Sequence, residues 1–173
     1  MEQTLDQKME ELTQIYELVG DVYDGYAASF GITDAELWVL YALSRHNGDY
    51  LQTDICRRWY YSLQTIHTTI KNMEKKGLIT LLCQPGNRKN KYLHLTKAGE
   101  QLTAKITEPL MQAEKAAFSA LTGEEQALLL PLLQKHAQAL RTEVETLRRS
   151  GVLANAAGHP VPSPAADGRR RIP

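Results

Sequence analysis

Residues 64–72, QTIHTTIKN, hold a run of polar side chains suited to hydrogen bonding with the edges of bases. Glutamine and asparagine amides can make paired hydrogen bonds to adenine, threonine can offer a hydroxyl and a methyl contact to thymine, and lysine can reach phosphate or guanine. The candidate contact residues of this run are Gln64, Thr65, His67, Thr68, Lys71 and Asn72. The plainer alternative is that these residues form the solvated face of an amphipathic helix.

The run lies on a helix predicted over residues 63–76. Its apolar residues recur at steps of three and four, and we expect them to face the core. They are Leu63, Ile66, Ile70 and Met73. Ser62 precedes this helix as a candidate cap and a further candidate contact residue. A shorter helix is predicted over residues 53–60, and Gln52 and Thr53 at its start offer phosphate contacts through backbone amides.

A β-hairpin is predicted directly after these two helices. Strand-forming residues occupy 78–82 and 92–95, and residues 85–87, Pro-Gly-Asn, supply turn chemistry between them. We expect four polar residues of the hairpin to meet phosphates or the minor groove. They are Arg88, Lys89, Asn90 and Lys91. Two helices followed by a cationic hairpin form a helix-turn-helix with a wing, an arrangement that grips duplex DNA.

Net charge is divided along the chain, although the whole chain is neutral with 20 basic and 20 acidic residues. Residues 45–97 hold ten basic and three acidic residues, a net charge of +7. Residues 1–44 hold nine acidic residues and one lysine, a net charge of −8. This asymmetry favours a basic lobe directed at a polyanion, with solvated charged faces as the alternative.

Long amphipathic helices are predicted at both ends of the chain. Residues 5–30 carry one apolar seam, and a last helix, capped by Thr122 with Glu125, carries another. Thr33 and Glu36 form a similar capping box for the second helix. The basic lobe is too small to cover both seams. We therefore expect two chains to interlock as a homodimer, with packing of the end helices on each other inside one chain as the alternative. The seams are Leu5, Met9, Leu12, Tyr16, Val19, Tyr23 and Tyr26, then Leu129, Leu133, His136, Leu140, Val144 and Leu147.

These elements predict one domain over residues 1–150, mainly α with a small β-hairpin wing. The winged helix-turn-helix core is flanked by long N- and C-terminal dimerisation helices. The DNA-binding lobe is placed at residues 33–97, and the dimerisation helices at 1–32 and 98–150. Residues 151–173 are rich in Ala, Pro, Gly and Arg, which predicts a disordered tail.

The order of these elements resembles the multiple-antibiotic-resistance regulator (MarR) family of bacterial winged-helix transcription factors. The run QTIHTTIKNMEKKGLI is similar to the recognition helix of that family and its exit into the wing, and YLHLTKAGEQL is similar to the second wing strand entering the fifth helix. The resemblance covers about residues 5–148. It implies a homodimer of a kind that is usually a repressor and in many cases responds to small aromatic or lipophilic ligands or to oxidants. The two-fold symmetry of such a dimer suits a pseudo-palindromic operator. The Asp-x-Arg triplet of the family wing is replaced by Asn87, Arg88 and Lys89, which removes the expected internal salt bridge.

Other residue types bear on ligands and redox chemistry. A pocket for an aromatic effector is predicted at Tyr16, Tyr23, Trp38 and Tyr41, with core packing as the alternative. Cys56 is expected to be a buried structural thiol, and Cys83, near cationic residues, is the candidate for sensing oxidants. The histidines show no metal-ligand spacing, so we expect no metal and no cofactor.

Several function classes are disfavoured by what the sequence lacks. It has no glycine-rich phosphate loop, nucleophile elbow or recognisable acid pair, so we expect no catalytic residue and no enzyme. No apolar run reaches the length of a membrane span and no secretory signal is visible, which favours a cytoplasmic protein without a membrane partner. The expected partners are double-stranded DNA, a second copy of the chain and a small aromatic or lipophilic effector. Two alternatives stay open: a thiol-based redox-sensing regulator and a winged-helix module that binds protein.

Overall fold

The computed structural model describes residues 3–46, 50–59, 61–84 and 87–150, without the side chains of residues 46, 52, 59, 84 and 87–90. The chain divides into two compact units, residues 1–112 and 113–173. The predicted disordered tail at 151–173 lies outside the described residues. Within the part that is described, no helix combines the length and the hydropathy that a membrane crossing requires. The predicted boundaries between DNA-binding lobe and dimerisation helices stay predictions.

Six helices and three strands make up the described chain, which confirms the predicted class of mainly α with a small sheet. In chain order they are α1 (Leu5–Ser29), α2 (Asp34–His46), β1 (Tyr50–Leu51), α3 (Gln52–Trp59), α4 (Leu63–Lys75), β2 (Ile79–Gln84), β3 (Asn87–Leu95), α5 (Lys97–Ser119) and α6 (Gly123–Arg149). The predicted kinks at Pro109 in α5 and Pro131 in α6 stay predictions, since both prolines lie inside continuous helices.

The sheet differs from the predicted hairpin in two respects. Its order is β1-β3-β2, all antiparallel, and the short strand β1 pairs Tyr50 with Leu93. A strand of two residues is too short to leave an alternating pattern, so β1 was not predicted. Strand β3 begins at Asn87, five residues before the predicted start, because polar residues of the hairpin also pair with β2. Asn87 therefore belongs to a strand, and Pro85-Gly86 of the predicted turn lie outside the described residues.

Helix ends follow the local signals in the sequence. The backbone N–H of Glu36 donates to the Thr33 hydroxyl at 3.2 Å, and the Glu36 carboxylate accepts from the Thr33 N–H at 2.9 Å, which confirms the capping box at α2. Gly31 follows α1 with φ of 67°, and Gly77 follows α4 with φ of 68°, a left-handed conformation that favours glycine. Both glycines end helices that the sequence predicted.

The core of the first unit is formed by α2, α3 and α4 against the sheet. Ile66, Ile70 and Met73 of α4 are buried as predicted. The prediction for Leu63 is wrong, because its side chain is 60% exposed. Leu63 is the first residue of α4 and lies nearly one turn before Ile66, the first buried residue of that helix. Periodicity assigned Leu63 to the correct side of the helix, but the core does not reach that far.

The long terminal helices keep most of their apolar seams uncovered. Among the described residues of α1, Ala27 is the sole one that is buried. No residue of α6, which is described in full, is buried. Exposed apolar side chains include Leu5 and Met9 on α1, and Leu133 and Leu140 on α6. Each of these helices therefore has an apolar surface that its own unit does not cover.

Candidate nucleic-acid interface

Helix α4 begins at a side-chain cap. Ser62 is the N-cap residue, and its hydroxyl oxygen accepts a hydrogen bond from the Thr65 N–H at 3.0 Å, as predicted. The two hydroxyls of Ser62 and Thr65 are also 2.7 Å apart. Thr65 is half-buried, and its side chain is occupied by the cap at the start of the helix. The other candidate contact residues of the run are exposed.

The polar side of α4 is open to solvent along the length of the helix. Ile66, Ile70 and Met73 anchor the opposite side, each at most 1% exposed. Five of the candidate contact residues are exposed and share the open side or its edges. They are Gln64, His67, Thr68, Lys71 and Asn72. A helix about 10–12 Å wide with such a face has the dimensions of the DNA major groove.

Two acidic residues of α2 hold the two ends of α4. The Tyr61 hydroxyl, just before the Ser62 cap, donates to the Asp34 carboxylate. At the other end, Lys76 Nζ lies 2.6 Å from Glu36 Oε1. Burial, followed by repulsion from Asp24, raises the pKa of Asp34. Local sequence signals predict Glu36 as a helix cap and indicate no role for Asp34, because these contacts join residues 27 and 40 positions apart.

The hairpin supplies the second part of the candidate interface. Lys91 of β3 is exposed and pairs in register with Cys83 of β2. Arg88, Lys89 and Asn90 lie within β3, but their side chains are outside the described part of the structure. Their predicted phosphate or minor-groove contacts therefore stay predictions.

The start of α3 was the third predicted contact region. Thr53, the second residue of α3, is exposed, and the side chain of Gln52 is outside the described part. The Asp54 carboxylate accepts from the Leu51 N–H at 3.2 Å, which links β1 to the first turn of α3. The predicted phosphate contact at Gln52 and Thr53 remains a prediction.

Three of the four aromatic residues predicted to line an effector pocket pack on one another. The ring centroids of Tyr23 and Trp38 are 4.8 Å apart, and those of Trp38 and Tyr41 are 5.5 Å apart. Tyr41 is buried and its hydroxyl accepts from Arg45 at 3.0 Å, whereas Tyr16 is 51% exposed. The structure thus brings Tyr23, Trp38 and Tyr41 together at the core and leaves Tyr16 at the surface. The effector pocket at these residues stays a prediction.

The two cysteines differ in their surroundings. Cys56 packs against the core but is half-buried, so the expectation of full burial was too strong. Burial raises the pKa of the Cys56 thiol, which disfavours the reactive thiolate. Cys83 is exposed on β2. Across the described ranges of the chain, no three His, Cys, Asp or Glu side chains converge as metal ligands.

Comparison with known proteins finds one matching family model and several solved structures with a similar fold. Residues 30–89 match the family model described as MarR family, which confirms the resemblance drawn from the sequence. No curated protein matches the chain. The MarR family regulator NMB1585 from Neisseria meningitidis is 21% identical over 80% of this chain and 97% of that one, with a TM-score of 0.70.

Two further solved structures contain DNA. The complex of MepR from S. aureus with DNA is 24% identical, covering 80% of this chain and 99% of that one with a TM-score of 0.67. FabT from Streptococcus pneumoniae in complex with DNA is 20% identical, covering 80% and 99% of the two chains with a TM-score of 0.66. At these identities the likeness shows a shared fold.

Proposed function

We propose, from the MarR-family match of residues 30–89, that this chain is a sequence-specific DNA-binding transcriptional regulator. One observation carries the proposal: α4 buries Ile66, Ile70 and Met73 against the core, while its polar side is open from Gln64 to Asn72. The structural neighbours MepR and FabT, each solved with DNA, support the same use of the fold. We place α4 in the major groove of double-stranded DNA.

Each exposed residue of α4 has a chemical role in this proposal. Gln64 and Asn72 would hydrogen-bond to base edges, with adenine as the natural partner of an amide. His67 and Thr68 would add further donors, acceptors and a methyl contact. Lys71 would neutralise a phosphate or reach guanine. The wing residues Arg88, Lys89, Asn90 and Lys91 would then contact the flanking backbone or minor groove.

We further propose that the regulator is a homodimer. The uncovered apolar surfaces of α1 and α6 support this, because helices with such seams need a partner and a second copy supplies an identical pair. A two-fold dimer presents two copies of α4 to half-sites about one helical turn apart, which predicts a pseudo-palindromic operator. Bound across a promoter in the bacterial cytoplasm, such a dimer would act as a repressor, released by a small effector that changes the spacing of the two DNA-binding lobes.

The test is a binding titration with the DNA upstream of the chain's own gene, repeated at several salt concentrations. Wild type should protect a pseudo-palindrome, and the logarithm of its affinity should fall linearly with the logarithm of salt concentration. Lys71→Ala should weaken binding to all sequences and reduce the salt slope by about one. Gln64→Ala should cost about 1–3 kcal/mol on the best site and less on mismatched sites.

Lys115→Ala is the matched control, since Lys115 is an exposed lysine on α5 outside the proposed interface. It should leave affinity and slope unchanged. A flat salt response with no protected region would reject DNA binding and favour a winged-helix module that binds protein. Equal losses for Lys71→Ala and Lys115→Ala would remove α4 from the interface.

A further inference from the structure

A cavity of about 370 Å³ lies between the end of α2, the end of β3 and the first half of α5. This volume falls in the range of about 300–1,000 Å³ that is typical of small-molecule sites. Leu43, Leu95 and Met111 give the cavity an apolar part. It does not include any of the four aromatic residues from which an effector pocket was predicted.

Thr103 of α5 lines this cavity with an unsatisfied hydroxyl. The residue is 3% exposed, and its Oγ1 has no hydrogen-bond partner in the described chain. One turn further along, the Thr107 hydroxyl donates to the Thr103 carbonyl at 2.9 Å, so the usual local bond is made there. A buried hydroxyl without a partner is costly in free energy. It therefore marks a place where a ligand would recover a hydrogen bond.

The charges around Thr103 define the kind of ligand. Glu100 and Glu108 of α5 line the cavity together with Thr103. Neither carboxylate forms an ion pair with any side chain that the structure describes. Among the residues lining the cavity, His94 is the one that could carry positive charge. An anionic ligand would be repelled by two carboxylates, and an uncharged apolar ligand would leave Thr103 without a partner.

We propose that the cavity binds a small primary ammonium compound with an apolar body. An ammonium group has three N–H donors, enough for a carboxylate and the Thr103 hydroxyl at once. Its body would pack on Leu43, Leu95 and Met111. Strand β3 forms one wall of the cavity and is also a strand of the wing, so a bound ligand could act on DNA binding through the wing. This effector role rests on the proposed function. Ligand binding itself does not depend on that function.

The direct test is isothermal titration of the full chain with 2-phenylethylamine, 2-phenylethanol and phenylacetate, three ligands of similar size that differ in charge. The amine should bind at millimolar concentrations or below, and the alcohol and the acid should bind about tenfold more weakly or worse. Glu100→Gln and Glu108→Gln change exposed side chains, and at least one should weaken amine binding about tenfold. Thr103→Val should weaken it as well.

Glu143→Gln on α6 is the control for charge, because it is an exposed glutamate outside the cavity. Absence of amine binding at millimolar concentrations would overturn the proposal. So would equal binding of phenylacetate, or losses for Glu143→Gln as large as those for Glu100→Gln and Glu108→Gln. Glu100→Gln and Glu108→Gln keep the proposal testable even if Thr103→Val alters the fold.

A second arm separates the site from its regulatory role. Adding 2-phenylethylamine to the protein–DNA complex should change DNA affinity in wild type, and the double variant Glu100→Gln with Glu108→Gln should abolish the change. Amine binding with unchanged DNA affinity would reject the effector role and support the site. Amine binding by a chain that does not bind DNA would reject the proposed function and leave the site standing.

Discussion

Lys76 Nζ lies 2.6 Å from Glu36 Oε1 and joins the C-terminal end of α4 to the first turn of α2. The Glu36 carboxylate is buried, and its other oxygen accepts from the Thr33 N–H. Two residues earlier on α2, Asp34 accepts from the Tyr61 hydroxyl at the opposite end of α4. One turn of α2 therefore sets the position of the helix that we place in the major groove.

Lys76→Met should lower the free energy of unfolding by about 1–2 kcal/mol, because it leaves the buried Glu36 carboxylate without its charge partner. The cost is below that of a fully buried pair, since the Lys76 side chain is 49% exposed and its charge is screened by water. Urea unfolding measures the change. Lys75→Met, at an exposed neighbouring lysine, is the control and should shift stability by at most about 0.5 kcal/mol. Equal effects at both positions would show that the contact adds nothing.

Gly99→Ala should be strongly destabilising, by about 3 kcal/mol or more, because the α5 backbone passes close to the start of β2. A Cβ atom at Gly99 would stand 1.9 Å from the Leu78 carbonyl oxygen, which is backbone and cannot move aside cheaply. Gly123→Ala at the start of α6 is the matched control, since nothing lies within 4 Å of its Cβ position. Thermal unfolding of the two variants should therefore separate clearly. Similar melting temperatures would contradict the close approach.

How far the sequence predicted this structure depends on the range over which each signal acts. The capping pairs Thr33–Glu36 and Thr122–Glu125 each lie within one helical turn, and the structure confirms both predictions. Gly31 and Gly77 marked helix ends for the same reason, since a left-handed residue is a local requirement. Local chemistry was thus sufficient for the helices and for the polar side of α4.

Features that depend on several elements could not be predicted in this way. The Lys76–Glu36 contact spans 40 residues, and the exposure of Leu63 depends on where the neighbouring helices end. The sequence did not indicate a role for Thr103, because its hydroxyl is buried and unpaired only where α2, β3 and α5 meet. The sequence pattern locates faces of single helices, whereas a cavity belongs to none of them alone.

Asp34→Asn should change how stability depends on pH. Burial first, and then repulsion from Asp24, raises the pKa of Asp34 above its ordinary value of 3.8, and a hydrogen bond with Trp38 offsets part of this. The folded protein then binds the Asp34 proton more tightly than the unfolded chain, so the free energy of unfolding falls as pH rises from 3.8 through the raised pKa. Asparagine cannot ionise but still accepts from the Tyr61 hydroxyl.

The variant should therefore gain stability relative to wild type as pH rises across that window, and the difference should level off above it. Urea unfolding at closely spaced acidic pH values measures the two curves. Asp21→Asn, an exposed change on α1, controls for the loss of a surface charge. A constant offset between Asp34→Asn and wild type at every pH would contradict this origin of the effect.

Leu140→Asp should convert a dimer into monomers. Leu140 is 56% exposed on α6, and a charge placed in a seam between two copies would have to be buried without a partner. Sedimentation velocity should give twice the chain mass of 19.5 kDa for wild type and the single mass for the variant. Gln138→Asp adds the same charge to an exposed polar position of α6 and should stay dimeric. A monomeric wild type at micromolar concentrations would reject the proposed homodimer.

Thr103→Val should stabilise the ligand-free protein, by about 1 kcal/mol, because a methyl group of similar size replaces a buried hydroxyl without a partner. Thr107→Val is the matched change on the same helix, and it should cost about 1 kcal/mol because that hydroxyl donates to the Thr103 carbonyl. A difference in helix propensity cannot give the two variants changes in stability of opposite sign, since both replace threonine by valine within the same helix. Urea unfolding of the two variants measures the signs, and a loss of stability for Thr103→Val would mean that its hydroxyl is already satisfied. Addition of 2-phenylethylamine should then reduce the difference in free energy of unfolding between Thr103→Val and wild type. Wild type binds the amine more tightly and is therefore stabilised more by it.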